Sequence, residues 1–281
     1  MDVNLQSDKA QAFRKMHDRS RILVLPNAWD AASARIIEEA GARAIATSSA
    51  GVANALGYAD GEALPRAEMI AATTRIARSV GVPVTADIEA AYGRDAKEVA
   101  ETIKLVIEAG AVGINLQDSS HDRTRPLHDL PIAVDRIRAA REAAASAGVP
   151  IVINARTDAF VAGVGAPESR FDEATRRLNS YLDAGADSLF LPGVRDRDAI
   201  ARAVKALKGP LNILAGPGFP TVSELEQLGV ARVSVGGWPS RVAMTITRRI
   251  AAELLGAGTY TPIDGLIGHP EMEALISRRP R

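Results

Sequence analysis

The chain has 281 residues, with 34 basic against 34 acidic side chains and a formal charge of zero, so bulk electrostatics offers nothing to a nucleic acid or a membrane surface. Hydrophobic residues make up 47%, enough for a sizeable core, yet no apolar run approaches the ~20 residues a membrane helix needs. Cysteine is absent, which removes disulfides, thiolate metal ligands and a thiol nucleophile together.

The first 20 residues are polar and helix-like and lack a signal-peptide core, so a cytoplasmic location is expected. Eight short apolar runs then follow: 22–27, 44–49, 82–89, 112–118, 151–157, 188–193, 211–216 and 233–237. Their nearly continuous apolar interiors suit parallel strands buried on both faces. Amphipathic helical stretches separate them, as at 30–40, 96–109 and 131–147. An Ala-Gly-Ala step ends three of the helices, around Gly41, Gly110 and Gly185, and a Gly-Val-Pro step ends two more, at Gly81 and Gly148. Glycine there supplies a left-handed cap and proline forbids continuation. Asp30 and Ser223 stand where N-caps belong.

Eight β/α units in about 250 residues are the arithmetic of an α/β (β/α)8 TIM barrel. The rival, an open doubly wound sheet, usually carries Gly-x-Gly-x-x-Gly after its first strand; here Pro26-Asn27-Ala28-Trp29-Asp30 stands in that place. The expected organisation is one domain: an N-terminal helix over 1–21, the barrel over 22–255 and a tail over 256–281. The tail has an apolar stripe (Ile263, Leu266, Ile267, Met272, Leu275) that must bury on this barrel or on a neighbouring subunit.

In such a barrel the chemistry collects where strands end. Those positions hold Ser48 and Ser49; Asp60 in the next loop; Asp87 and Glu89; Asn115, Gln117 and Asp118; Asn154, Arg156 and Asp158; and Trp238 after the last strand. Residues two apart share a strand face, which pairs Asp87 with Glu89, Asn115 with Gln117, and Asn154 with Arg156 and Asp158. Carboxylates aimed into a barrel are costly without a counter-charge. A hard cation answers this, and Mg²⁺ needs only one or two direct carboxylates because it keeps its waters. Asp87, with Glu89, Asp60 and the Gln117 amide around it, fits a Mg²⁺ site; helix capping or ion pairing at the rim is the alternative for any one of these acids.

Arg156 has a guanidinium fork suited to a substrate carboxylate or phosphate, or else pairs with Asp158 or Glu89. Ser48 and Ser49 offer hydroxyl and N–H donors to the same anion, with Asn154 beside them. Trp238 either walls the pocket or packs in the core. The lysines (Lys9, Lys15, Lys97, Lys104, Lys205, Lys208) all fall in helical stretches, which disfavours a Schiff-base aldolase. His17 and His269 lie in the terminal segments. His121, in the charged loop after strand four, is the candidate acid or base; His128 opens the next helix.

These segments resemble the isocitrate lyase and phosphoenolpyruvate mutase superfamily over about residues 25–255. The resemblance rests on Leu25-Pro26-Asn27-Ala28-Trp29-Asp30, on Thr47-Ser48-Ser49-Ala50-Gly51 and on Leu56-Gly57-Tyr58-Ala59-Asp60. It rests also on Asp87-Ile88-Glu89-Ala90-Ala91-Tyr92-Gly93, where members read Asp-Ala-Asp-Thr-Gly-Tyr-Gly, and on Asn154-Ala155-Arg156-Thr157-Asp158-Ala159. It implies Mg²⁺, a small 2-oxo or 2-hydroxy acid and an enolate formed as a C–C or P–C bond breaks. By position Asp87 would touch the metal and Asp60 and Glu89 would hold its waters, while Arg156, Ser48 and the Ser49 N–H bind the anion. It also implies a homo-oligomer, a dimer or a tetramer that exchanges a C-terminal helix.

Two departures stand out. The lyase loop Lys-Lys-Cys-Gly-His is replaced by residues 118–128, with neither Cys nor Lys, and the Glu of strand four is Gln117. The chain thus reads as a less characterised branch. A C–C lyase is expected first, a phosphonopyruvate-type P–C mutase or hydrolase second, and a non-catalytic 2-oxo-acid-binding protein third.

Overall fold

A computed structural model describes residues 2–93, 95–120, 122 and 124–278. Helix α1 (Val3–Lys15) precedes β1 (Leu23–Leu25) and β2 (Asn27–Ala28). The chain then runs α2 (Ala31–Glu39), β3 (Ile45–Thr47), α3 (Ser49–Ala55), α4 (Arg66–Ser79), β4 (Val84–Asp87), α5 (Ala96–Glu108), β5 (Gly113–Gln117), α6 (Leu130–Ser146) and β6 (Val152–Arg156). It continues through α7 (Pro167–Asp183), β7 (Ser188–Phe190), α8 (Arg197–Ala206), β8 (Leu211–Leu214), α9 (Val222–Gln227), β9 (Arg232–Ser234), α10 (Trp238–Gly256) and α11 (His269–Ser277).

The sheet has nine strand pieces in the order β1-β9-β8-β7-β6-β5-β4-β3-β2, and every pairing is parallel. Its two end pieces, β1 and β2, are one strand broken at Pro26, whose missing N–H cannot join a ladder. One half pairs with β9 and the other with β3, so the sheet closes on itself as an eight-stranded barrel. The expected runs all became strands. The repeated Ala-Gly-Ala step works as anticipated: Gly185 sits at φ 109°, past the end of α7. Asp30 caps α2, accepting from Ser33 N at 2.7 Å. The N-cap of α9 is Thr221, not Ser223, because only Thr221 has the reciprocal Glu224 three residues on.

Helix α1 closes the barrel at the N-terminal ends of the strands. Gln6 Nε2 donates to the Ile107 and Ala111 carbonyls at 2.7 and 3.0 Å, and Phe13 is fully buried beside Gly113, where a Cβ would come within 2.7 Å of its ring. His17 completes the plug. Its Nδ1–H donates to Phe13 O at 2.9 Å, and its Nε2 accepts from Arg232 Nη1 at 3.3 Å. Arg232 is fully buried on β9; its Nη2 also donates to Asn115 Oδ1 at 3.1 Å, and Asn154 Nδ2 donates to that oxygen at 2.7 Å.

Burial, with Arg232 beside it, pushes His17 down to about 3. From pH 6.5 down to about 3 the unfolded chain takes up a proton here that the folded chain refuses, so this position makes stability fall as pH falls. The slope is about 1.4 kcal/mol per pH unit. Urea melts at about pH 7 and about pH 5 should show the native protein losing about 2 kcal/mol more than His17→Gln across that interval. Equal losses would rule His17 out as the cause.

The tail divides. Leu275 of α11 is buried on α2, where Arg35 Nη1 donates to Leu275 O at 3.0 Å and Arg278 pairs with Glu39 at 3.1 Å. Ile263, Leu266 and Ile267 of the predicted stripe stay exposed.

Candidate active site

The predicted acids gather at the C-terminal ends of the strands. Asp87 ends β4, and its N–H donates to Thr47 Oγ1 at 2.8 Å. Ser49 donates twice to Asp87 Oδ2, from its N–H at 3.1 Å and its hydroxyl at 2.9 Å. Asp87 Oδ1 is buried and has no hydrogen-bond partner among the described residues. Asp60 comes to the same place, its Oδ1 3.5 Å from Ser49 Oγ. Burial and then the Asp87 carboxylate hold Asp60 above the usual carboxylate range. The same two causes, in the same order, push Glu89 up to about 8.

Glu89 does not reach this cluster by strand alternation, as the sequence suggested. The strand stops at Asp87, and Glu89, Ala91 and Tyr92 take φ values of 51°, 64° and 53°. Left-handed backbone at three non-glycine residues stores strain and needs support. Arg136 of α6, buried to 1% exposure, supplies it by donating to the Gly93 carbonyl at 2.8 Å and to the Ala90 carbonyl. Glu62, itself at φ 59°, accepts from Tyr92 N at 2.7 Å. Sequence reading missed Arg136, since nothing in a helix pattern marks it; Glu62 stands out beside Asp60 in the polar loop after strand two, but not as a support.

On the next strands Gln117 and Arg156 are register partners. The Gln117 N–H donates to Glu89 O at 2.9 Å, and its carboxamide has no hydrogen-bond partner among the described residues. Arg156 Nε donates to Asp158 Oδ1 at 2.6 Å, and its guanidinium lies 5.5 Å from the Phe190 ring centre. Burial works against the Arg156 charge, but Asp158, Asp87 and Asp60 outweigh it and raise its pKa. Arg156 thus pairs with Asp158 through one nitrogen and leaves the two terminal nitrogens of the fork without a partner among the described residues.

The remaining candidates divide. Ser48 is the N-cap of α3, accepting from Gly51 N at 3.2 Å, and is only 4% exposed. The Ser49 N–H, expected on a substrate anion, points to Asp87 instead, because an acceptor already sits within reach. Asn154 is fully buried and stands level with Asn115 and Asp87 in the ladder, so it belongs to the floor of the site. Trp238 opens α10, 39% exposed, and lies over Gly216, where any Cβ would come within 2.9 Å of its indole nitrogen. His121 and Arg123 lie outside the described residues. The base of their loop is fixed by an antiparallel bridge between Ser119 and Leu127 and by Ser120 N donating to Pro126 O at 3.0 Å. His128 precedes α6 and donates its N–H to Asp118 O at 2.8 Å.

Among the described residues no three His, Cys, Asp or Glu side chains close into a metal cage. The donor set still fits a hard cation. Asp87 offers one buried, unpaired carboxylate oxygen, and its charge lies close enough to Asp60 and Glu89 to add to the upward shift that burial gives both. An ion that keeps most of its waters needs no tighter shell.

A model of the phosphoenolpyruvate phosphomutase family matches residues 13–255. The chain belongs to that family. A provisionally described lyase/mutase structure from Burkholderia cenocepacia J2315 is 36% identical, with a TM-score of 0.92 over 99% of this chain and 98% of that one. The 2-methylisocitrate lyase of Salmonella typhimurium is 31% identical over 79% of this chain and 76% of its own. A phosphonopyruvate hydrolase solved with oxalate and Mg²⁺ is 27% identical, with a TM-score of 0.84 over 95% of this chain and 94% of that one. The barrel is thus a family fold, and family relatives include both lyases and phosphorus–carbon enzymes.

Proposed function

We propose that the protein is a Mg²⁺-dependent lyase that breaks a C–C bond beside the 2-oxo or 2-hydroxy carboxylate of a small acid, through an enolate. The observation that carries this reading is the pairing of the orphaned Asp87 oxygen with an unfilled guanidinium fork on Arg156, four carboxylate and amide groups and one cation around a single mouth. Asp87 would bind the metal directly, and Asp60, Glu89 and Gln117 would hold its waters. Mg²⁺ bound there supplies electrostatic stabilisation of the enolate oxygen. Arg156 takes the substrate carboxylate with its two free nitrogens, and the Phe190 ring lies beside its planar fork. Ser48, Ser49, Asn154 and Trp238 shape the rest of the pocket, and His121 is the proposed acid or base.

Incubation with a panel of small 2-oxo, 2-hydroxy and phosphono acids tests the reading. Mg²⁺-dependent release of a pyruvate-like fragment supports it. Phosphate release from a phosphonate would replace it with P–C chemistry, and saturable binding without turnover would leave a binding protein.

Gln117 gives a graded check. An amide leaves the metal surroundings one charge poorer than a carboxylate, so Gln117→Glu should tighten Mg²⁺ several-fold by calorimetry. Weaker binding would place Gln117 outside those surroundings.

For the assembly we infer a homo-oligomer, a dimer or a tetramer, built by exchange of α10. Among the described residues of that helix only Ser240 is buried, while Val242, Met244 and Leu254 are about half exposed. The same chain has an open apolar groove beside its first strand, lined by Ile22, Pro26, Ile36 and Ile37. A second copy's α10 is the occupant that covers both surfaces. Met244→Glu/Leu254→Glu should sediment as a monomer where the native protein does not; an unchanged sedimentation coefficient would refute the exchange.

A further inference from the structure

We propose that Asp118 is a positioning residue that aims the Arg156 fork and ties it to the base of the 119–128 loop. The proposal rests on the reading of Arg156 as the substrate-anion ligand. Asp118 follows β5 directly and is 3% exposed, so it touches no ligand itself. Its carboxylate is fully used. Oδ1 accepts from Asp158 N at 2.9 Å, and Oδ2 accepts from Thr157 Oγ1 at 2.7 Å, Tyr181 Oη at 2.6 Å and Arg177 Nη1 at 3.3 Å.

Two of those bonds grip the turn at Thr157 and Asp158. That turn matters because Asp158 reaches back from it to Arg156 Nε. β6 ends at Arg156, and beyond it the turn keeps Thr157 N on Phe190 O at 3.2 Å and Ala162 N on Asp158 O at 2.8 Å, while the Asp158 N–H and the Thr157 hydroxyl are both held by Asp118. The guanidinium is planar and its Nε bond is directional, so moving the Asp158 carboxylate turns the two nitrogens that face the pocket.

The other side of the device is the loop. Asp118 O accepts from His128 N at 2.8 Å, and Arg177 Nη1 donates to His128 O at 2.9 Å. The His128 residue is therefore held at both its backbone groups by Asp118 and by a partner of Asp118. Arg177 is in turn fixed by Glu173 at 2.7 Å. A rigid, fully satisfied polar network of this kind transmits the position of one member to the others. Mere satisfaction of buried donors would need no common member between the loop base and the arginine.

The test uses oxalate as the probe, with Mg²⁺, on Asp118→Asn and on the near-isosteric Thr157→Val and Tyr181→Phe. Asp118→Asn turns one acceptor into a donor facing three donors, and should weaken oxalate about ten-fold or more while Mg²⁺ affinity stays within two-fold. Thr157→Val and Tyr181→Phe should shift oxalate the same way by a few-fold, and hydrogen exchange at the Ser120 and His128 amides should speed up. In parallel, the ¹⁵N resonance of the Arg156 Nε–H should move or broaden in each variant. Lower melting temperatures with native oxalate affinity and an unmoved Arg156 signal would overturn the proposal. A native protein that binds neither Mg²⁺ nor oxalate would defeat the proposed function alone; the Arg156 resonance would still decide the role of Asp118. If Asp118→Asn does not fold, the other two variants carry the test.

Discussion

Asp87→Ala is expected to lose Mg²⁺ binding by more than about 100-fold in calorimetry, since even an outer partner of a metal ligand is worth about 10- to 100-fold. Turnover should fall to background with it. The fold should survive. Asp87 repels Asp60 and Glu89, and its carboxylate contributes to the upward shift of both. Removing it relieves that repulsion. Against this stand the two bonds from Ser49 and the favourable field that Asp87 provides for the buried Arg232. The terms oppose, so the melting temperature should move by only a few degrees. A variant that keeps native Mg²⁺ affinity would show that Asp87 is not the ligand. A variant that unfolds would show that its buried oxygen is structural.

Barrel and mouth were legible because both follow from short-range patterns. Continuous apolar runs name the strands, Gly and Pro end the helices, and closure then brings every strand end to one face. Hence Asp87, Gln117, Asn154 and Arg156 meet although they come from three separate strands. What was not legible is what reaches the site from helices. Tyr181 lies 63 residues from Asp118, and Arg136 lies 46 residues from Ala90, and neither sequence neighbourhood differs from that of any amphipathic helix. The alternation rule also overran its strands. It placed Glu89 and Asp158 on strand faces, whereas β4 and β6 end at Asp87 and Arg156 and the chain turns. Buried Arg232 escaped for the opposite reason, since a lone arginine at the start of a short strand reads as exposed, whereas of the two readings open for His17, structural or exposed, the buried one is found.

Arg156→Lys is expected to weaken oxalate, or the true substrate, by about 10- to 150-fold. A lysine cannot present two parallel donors, and one lost charge-assisted hydrogen bond costs about 1.5–3 kcal/mol. Arg156→Met should weaken it by more than about 100-fold, through the loss of both. Mg²⁺ should respond in the reverse sense. Arg156 is a cation within the field of Asp87 and Asp60, so its removal leaves the carboxylates more attractive to a second cation. Falling oxalate affinity with level or rising Mg²⁺ affinity is therefore the signature of an anion ligand; a collapsing site would lose both. Stability must be separated from this. Asp158, 9% exposed, pairs with Arg156, 21% exposed, and Arg156→Met strands it. Breaking a buried pair costs up to about 3–5 kcal/mol, with the lower end expected where one partner still meets solvent. Adding Asp158→Asn removes the stranded charge. The double variant Arg156→Met/Asp158→Asn should recover most of the lost melting temperature and none of the oxalate affinity. Recovery of both would mean that Arg156 acts only by neutralising the Asp158 charge.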